Sequence, residues 1–356
     1  MDSDTLQLDT FLRAILQKRG SDVYIVPGAR VMAKVNDQLE PLSEQKLRLA
    51  DCEELIQQIY ACADKRSIAH LREEGDDDFS FGLANLGRFR CNAFKQRGTL
   101  AAVLRVVPFD LPDAKALSIP EAVLNLSQRK RGMALVTGPA GSGKTTTLAC
   151  VIDRINRSRS GHIITLEDPI EYIHPHKKCL VTQREIANDT RTFAGALRAS
   201  LRQAPDVILL GEMRDFDTIQ TALTAAETGH LLFSTLHTLG ASKTIDRIID
   251  VFPATQQQQV RIQLSMVLQA VVSQQLIPTV DGGIVPAFEV MFVNSAIANM
   301  IRENKVQQID NVIYAGAAEG MIPMDGEILR LYREKRISRE NALLYAMNPD
   351  QMQRKL

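Results

Sequence analysis

The first third of the chain alternates between two hydrophobic periods. Apolar positions recur at helical spacing over residues 5–18 and again over about 47–72, so we expect a helix in each stretch. Short apolar runs at Val23–Val26 and Val31–Val35 predict strands between these helices. Two later runs have apolar residues at alternate positions, and a β-rich run follows at Leu100–Val107. Turn residues separate the three runs, which predicts a three-stranded antiparallel meander. The acidic run at 73–78 before this meander predicts a solvated loop.

A proline-rich stretch then divides the chain. Three prolines fall between residues 108 and 120, where they exclude helix interiors and central strands, so we place a linker at 108–119. This boundary predicts a small α+β domain over 1–107 and a second domain over 120–356.

Short apolar strands alternate with helical stretches in the second domain. The predicted strands are Met133–Thr137, Ile163–Leu166, Val207–Leu210 and Leu231–Thr235. This alternation is typical of an α/β fold with a mostly parallel sheet that is covered on both faces. A helix-rich C-terminal region is expected over about 256–350.

Composition narrows the classes of function. The 356 residues are 45% hydrophobic and carry 42 basic and 42 acidic side chains, so the chain is a neutral globular protein. Zero net charge, 5% aromatic residues and no tryptophan argue against a nucleic-acid motor. The sequence shows neither a secretory signal nor an apolar run of membrane-spanning length. Five scattered cysteines without a C-x-x-C pair argue against zinc or disulfides and suit a reducing cytoplasm.

Residues 138–145 read G-P-A-G-S-G-K-T and match the phosphate-binding loop pattern. The motif follows a predicted strand and precedes a helical stretch, as this loop requires. We expect Lys144 to reach the β- and γ-phosphates of ATP and the Thr145 hydroxyl to bind Mg²⁺. The expected nucleotide contacts are Gly138, Pro139, Ala140, Gly141, Ser142, Gly143, Lys144, Thr145 and Thr146.

Other strand ends supply candidate catalytic groups. In a doubly wound sheet, ligands bind beyond the carboxyl ends of the strands. Glu167 is the preferred general base, and Glu212 is an acid that supports Mg²⁺. His237 is placed to sense the γ-phosphate. His230 is a weaker catalytic candidate, for which a structural role at a helix end is the alternative.

Four ordered segments resemble a known family. They read GPAGSGKTTT, HIITLEDPIEYIH, LRQAPDVILLGEMRD and AETGHLLFSTLHT, and they are similar to the Walker A, Asp, Walker B and His boxes of secretion and pilus motor ATPases. Within that family the chain resembles the type IV pilus retraction ATPases, PilT and PilU. The resemblance extends over nearly the whole chain and includes GSDVYI, GRFRCNAFKQRG and KTIDRIIDVFPA.

The resemblance implies a PAS-like N-terminal domain and a RecA-like ATPase domain. It also implies a cytoplasmic homohexamer docked at the inner membrane on the platform protein of the pilus machine, with a second retraction ATPase as a further partner and no nucleic acid. Its members assign water activation and Mg²⁺ support to the positions of Glu167 and Glu212. They also use arginines of the N-terminal sheet to reach nucleotide, and here the candidates are Arg88, Arg90, Arg97 and Arg105. A solvated strand face is the alternative for these arginines.

One segment departs from the family pattern. Residues 296–303 read A-I-A-N-M-I-R-E, where retraction motors carry A-I-R-N-L-I-R-E, so Ala298 replaces an arginine. A PilU-like accessory retraction motor and a pilus-assembly or type II secretion ATPase therefore remain alternatives. A RecA-like nucleic-acid motor and a nucleotide-gated scaffold with little hydrolysis are further hypotheses.

Overall fold

The structure, a computed structural model, describes residues 6–63, 66–84, 86–107 and 111–356. The chain folds as two compact units, one of residues 1–110 with 169–173 and the other of residues 111–168 with 174–356. The first three residues of the predicted 108–119 linker lie outside the described residues, and 111–119 forms turns. No helix in the described part of the chain combines the length and apolarity needed to cross a bilayer.

The first unit contains one antiparallel sheet in the order β3-β2-β1-β6-β5-β4. Its elements are α1 (Leu8–Gln17), β1 (Asp22–Ile25), β2 (Met32–Val35), β3 (Gln38–Pro41), α2 (Leu49–Cys62), α3 (Ala69–Glu74), β4 (Asp76–Leu83), β5 (Gly87–Gln96) and β6 (Thr99–Val107). Apolar faces of α1 and α2 share a core with the sheet, including Leu12, Leu55, Phe89 and Leu104. The predicted meander is confirmed, because β4 pairs with β5 and β5 with β6.

The predicted loop at 73–78 is wrong. Glu73 and Glu74 end α3, Gly75 turns the chain with φ +94°, and Asp76 begins β4. Asp77 points inward, where it accepts hydrogen bonds from the Tyr60 hydroxyl at 2.7 Å and from Arg66 Nε at 2.9 Å. A buried carboxylate is tolerated here because a cation and a hydroxyl hold it.

The second unit contains a seven-stranded sheet in the order β13-β12-β7-β11-β10-β8-β9. Its elements are α4 (Glu121–Leu124), β7 (Gly132–Thr137), α5 (Lys144–Ser158), β8 (Gly161–Glu167), β9 (Cys179–Glu185), α6 (Phe193–Ser200), β10 (Val207–Leu210), α7 (Phe216–Glu227), β11 (Leu231–Leu236), α8 (Ala241–Asp250), α9 (Ala254–Val267), β12 (Leu268–Pro278), β13 (Ile284–Phe292), α10 (Ser295–Arg302), α11 (Ile309–Ala315), α12 (Met324–Arg333), α13 (Arg339–Leu344) and α14 (Pro349–Lys355). All neighbouring strands run parallel except β12 and β13.

Both faces of this sheet are buried. Alternate residues of β7 point to opposite sides, with Met133 and Leu135 in one apolar cluster and Ala134 and Val136 in another. Helices therefore cover each face, and the predicted α/β class with a mostly parallel sheet is confirmed. The expected helix-rich tail over about 256–350 is correct for α9 and from α10 onward, but it is interrupted by β12 and β13, which lie within residues 268–292.

The Asp77 cluster gives a stability prediction. Replacing Asp77 with Ala leaves Arg66 and Tyr60 without their buried acceptor, which should cost about 2–3 kcal/mol of unfolding free energy. Burial opposes ionisation of Asp77, but Arg66 and Tyr60 outweigh it and lower the pKa of the carboxyl. The stabilisation is therefore present above the pKa of the unfolded carboxyl and is lost as pH falls through the folded value.

Urea unfolding at neutral and acidic pH measures this effect. The matched control is Asp76→Ala, which removes an exposed carboxylate from the neighbouring position of β4. If the Asp77 and Asp76 variants lost equal stability, the buried cluster would not stabilise the unit.

Candidate functional site

The phosphate loop joins the end of β7 to the start of α5. Gly138 has φ +143°, and a Cβ there would lie 2.2 Å from the Gln274 carbonyl oxygen. Gly143 has φ +84°, and its Cβ would lie 2.8 Å from Gln274 Nε2. Both positions require glycine because backbone strain and the close approach of β12 exclude a side chain. The predicted strand–loop–helix context is therefore present.

Several donors in this loop suit a phosphate group. Helix α5 begins without a side-chain cap, so its first N–H groups and its dipole can serve an anion. Ser142 Oγ is buried and has no hydrogen-bond partner within the described residues. The Lys144 ammonium donates to the carbonyl oxygens of Gly138 at 2.9 Å and Pro139 at 2.8 Å, which holds its charge over the loop.

Glu167 ends β8 and is buried, with 6% exposure. Its Oε1 accepts a hydrogen bond from Thr165 Oγ1 at 2.6 Å and another from Gln183 Nε2 at 3.2 Å. These two donors leave the carboxylate only limited rotational freedom. A carboxylate fixed in this way at a strand end is suited to orienting a water molecule.

Glu212 follows β10 and faces two basic groups. Its Oε2 lies 2.7 Å from Arg214 Nε and 3.4 Å from His237 Nε2. His237 comes directly after β11, so the ends of neighbouring strands bring the acid and the imidazole together. With β7 and β8 in the same parallel array, the phosphate loop and Glu167 lie at the same edge.

The donor set fits a magnesium ion that comes with a nucleotide. No group of three or more ligating His, Cys, Asp or Glu side chains occurs among the described residues. Mg²⁺ commonly takes one or two protein oxygens and completes its shell with phosphates and water. The Thr145 hydroxyl, in the first turn of α5, and the Glu212 carboxylate are the oxygens that would hold it.

A largely apolar cavity of about 260 Å³ adjoins the first turn of α5. Gly143, Thr146 and Thr147 form the side next to the phosphate loop, and Gln274 lines it from β12. Thr147 Oγ1 donates to Gln274 Oε1 at 2.7 Å, which fixes the amide against the loop. The remaining lining residues include Leu117, Ile119, Leu276, Pro286 and Arg336. Its place and character suit the base of a nucleotide.

His230 lies at the other edge of the sheet. It precedes β11, and its backbone oxygen accepts from Gly132 N–H at the start of β7. Its Nδ1 lies 3.0 Å from the Ala225 carbonyl oxygen. Six residues of strand, about 20 Å, separate it from the edge that carries His237. The structure therefore does not bring His230 to the phosphate loop and instead places it at a helix end.

The candidate arginines divide into two groups. Arg90 and Arg105 are direct cross-strand partners, and Arg105 Nε donates to Asp22 Oδ1 at 2.8 Å. Both line a cavity of about 350 Å³ on this face of the sheet. Arg88 belongs to the same face of β5, whereas Arg97 lies in the β5–β6 turn with φ +49°.

Sequence reasoning missed the residues that support this site. Thr165 and Gln183 fix Glu167, while Thr147 and Gln274 form the floor of the phosphate loop. Gln183 lies on β9, a strand that the sequence analysis did not predict. Gln274 could not be predicted from the sequence, because its strand lies in a region for which the sequence predicts helices.

The fold and the site define a P-loop ATPase with an additional α+β unit. The chain matches the family described as Type II/IV secretion system protein over residues 5–351. It is 44% identical over 342 residues to the type IV pilus retraction ATPase PilT of Pseudomonas aeruginosa, covering 96% of this chain and 98% of that protein. It is 38% identical over 342 residues to the type IV pilus ATPase PilU of the same organism, covering 96% and 89%.

A crystal structure of the pilus retraction motor PilT with bound ADP is also similar. It has a TM-score of 0.89 and 45% identity, and the match covers 98% of this chain and 99% of that one. The chain therefore belongs to the type II/IV secretion system protein family, and the predicted family and ATPase class are confirmed.

The position of the Glu212 carboxylate leads to a prediction about how ATPase activity depends on the Mg²⁺ concentration. Glu212→Gln removes the charge that would support the cation, so turnover should require a higher Mg²⁺ concentration. A Mg²⁺ titration of ATPase activity measures the midpoint. Glu227→Gln is the matched control because it changes a carboxylate at the end of α7. An unchanged midpoint in Glu212→Gln would rule out the metal-side role.

Proposed function

We propose that this chain is the ATP-hydrolysing motor subunit that powers retraction of type IV pili. One observation carries the proposal: a phosphate loop, Glu167, Glu212 and His237 share one edge of a parallel sheet. The near full-length similarity to a pilus retraction ATPase supports the type IV pilus as the machine on which this motor acts.

Each group has a distinct task in the proposed reaction. The phosphate loop and Lys144 bind and neutralise the phosphates of ATP, with the base in the cavity beside α5. Glu167 orients the attacking water and accepts its proton. His237 contacts Glu212 and is placed to respond to the γ-phosphate. Bound Mg²⁺ would neutralise charge on the phosphates, held by Thr145 and Glu212.

The active form that we propose is a homohexameric ring. It would work in the cytoplasm at the inner membrane, docked on the platform protein of the pilus machine, with a second retraction ATPase as a further partner. Since the catalytic unit has no sequence-evident arginine finger of its own, Arg88, Arg90, Arg97 or Arg105 of a neighbouring subunit would complete each site.

A PilU-like accessory role is the second candidate. Ala298 carries this alternative because it stands on α10 where the retraction pattern has arginine. A half-buried alanine on this helix cannot supply the cationic side chain of that pattern. An accessory motor would support retraction only when another retraction ATPase is present.

The function is tested by deletion in the host and complementation. Loss of retraction and twitching is expected, with recovery from the wild-type chain and none from Glu167→Gln. Purified Glu167→Gln should bind ATP while its hydrolysis falls roughly 10²–10⁴-fold, because it lacks the base.

Two results of this experiment would contradict the proposal. Normal retraction after deletion would exclude a required motor, and recovery by Glu167→Gln would separate retraction from hydrolysis. Deletion of a second retraction ATPase in the same host distinguishes the accessory role, since the chain would then fail to drive retraction alone.

Completion of the site by a neighbour predicts rescue between inactive subunits. Lys144→Ala retains the arginines, and Arg90→Ala retains the phosphate loop. A mixed ring should therefore regain part of its ATPase activity, because an arginine supplied in trans is worth about 10³–10⁵ in rate. Turnover and light scattering of the separate and mixed variants measure the effect.

The matched control combines Lys144→Ala with Glu167→Gln, whose defects both lie in the phosphate-loop unit. This pair should stay inactive. The same mixture is repeated with Arg88, Arg97 and Arg105 variants. If none of the four arginine variants is rescued, and the nucleotide-bound protein is a monomer, the ring mechanism is excluded.

A further inference from the structure

A polar row crosses the edge of the sheet beside the phosphate loop. Leu236, Thr137, Ser273 and Glu289 are register partners on β11, β7, β12 and β13. Ser273 is fully buried and Glu289 is 7% exposed. With Thr137, which is also fully buried, three of the four side chains in this row are polar.

This row binds the segment that follows β11. We call residues 237–240 the sensor loop, since it begins with His237. At its far end, Gly240 N–H donates to Ser273 Oγ at 3.0 Å, and the next residue, Ala241, donates its N–H to Glu289 Oε1 at 2.8 Å. The sensor loop therefore leaves β11, passes the end of β7 and is fixed on β12 and β13.

We call Ser273 and Glu289, which accept these two hydrogen bonds, the anchor. The anchor is also joined to the phosphate loop. Ser273 Oγ lies 2.7 Å from the hydroxyl of Thr137, the residue directly before Gly138. Gly138 N–H in turn donates to the Leu236 carbonyl oxygen at 3.3 Å, at the start of the sensor loop. One buried hydroxyl thus touches both the strand that carries the phosphate loop and the end of the sensor loop.

The burial of Glu289 is costly. Burial raises its pKa to about 7, although the N–H groups of Ala241 and Met324 favour the ionised form. Asp310 and Asp325 face it from α11 and α12 and also oppose ionisation. An apolar residue would pack into a strand at lower cost. Strand stability alone therefore does not account for a carboxylate at this position.

His237 depends on this anchor because little else holds it. Its side chain is 48% exposed, and its Nε2 lies 3.4 Å from Glu212 Oε2. Only Thr238 and Leu239 separate His237 from the anchored Gly240, so a shift at the anchor reaches the imidazole. Thr238 Oγ1 pairs with Thr244 Oγ1 at 2.8 Å, which limits independent movement inside the loop.

We propose that Ser273 and Glu289 are positioning residues that fix the far end of the sensor loop and thereby hold His237 against Glu212 during ATP hydrolysis. This inference rests on the proposed function and adds two residues that do not touch the nucleotide. Their effect is on the geometry of hydrolysis and not on the binding of ADP.

The test uses the full-length chain and the variants Ser273→Ala and Glu289→Gln. Ser273→Ala removes the hydroxyl that accepts from Gly240, and Glu289→Gln replaces one carboxylate oxygen with an amide donor, so that this side chain can no longer accept from both Ala241 and Met324. Misplacement of His237 should lower kcat roughly 10–100-fold, while the affinity for ADP stays that of the wild type. Gln275→Met is the matched control, because Gln275 also lies buried on β12 and donates to the Tyr345 carbonyl oxygen at 3.2 Å, away from the sensor loop.

A double-mutant cycle with His237→Ala separates positioning from general destabilisation. If the anchor acts through His237, Ser273→Ala and Glu289→Gln should have little further effect on kcat in the His237→Ala chain. Additive losses, or a kcat loss matched by Gln275→Met, would overturn the proposal. If Glu289→Gln does not fold, as judged by its melting temperature, the Ser273→Ala cycle carries the same test.

A wild type without ATPase turnover overturns both the proposed function and this inference, whereas turnover that the anchor variants leave unchanged overturns the inference alone.

Discussion

Parallel pairing of β7 with β11 and β12 is the interaction on which the site depends. Parallel pairing places the carboxyl ends of neighbouring strands at one edge of the sheet. Side chains that follow these strands therefore lie close together although they are far apart in sequence. The same pairing brings the Gln274 carbonyl against Gly138 so closely that glycine is required there. The phosphate loop, Glu212 and the sensor loop therefore all derive their positions from backbone hydrogen bonds of the sheet.

The sequence was most informative where function is encoded by local pattern. The phosphate loop, the strands before it and the meander of the first unit are contiguous signals. The failures are non-local. Burial of Asp77 in a strand is possible because Arg66 neutralises it and Tyr60 donates a hydrogen bond to it, and neither partner adjoins it in sequence. No turn residue separates α9 from β12, so the change of period at Leu268 was hidden inside an apolar run. His230 was a weaker candidate at a helix end, and it precedes β11, whereas His237 follows β11 at the opposite end of the strand.

One face of the sheet in the first unit carries charged side chains on neighbouring strands. Arg90 and Arg105 lie directly opposite each other, which is unfavourable for like charges, and Asp22 compensates one of them. Asp78 lines the same cavity, so this face of the sheet carries charges of both signs.

The scarcity of ligands around Glu212 has a thermodynamic consequence. The described residues hold no cluster of three ligating side chains, and a divalent cation held by Thr145 and Glu212 would take most of its coordination from phosphate oxygens and water. Cation and nucleotide would then bind in one linked equilibrium, in which each tightens the other by the same factor. Chelation would accordingly loosen the nucleotide as well as remove the metal. Loss of the terminal phosphate would weaken the hold on the cation, and departure of the cation would in turn loosen the ADP.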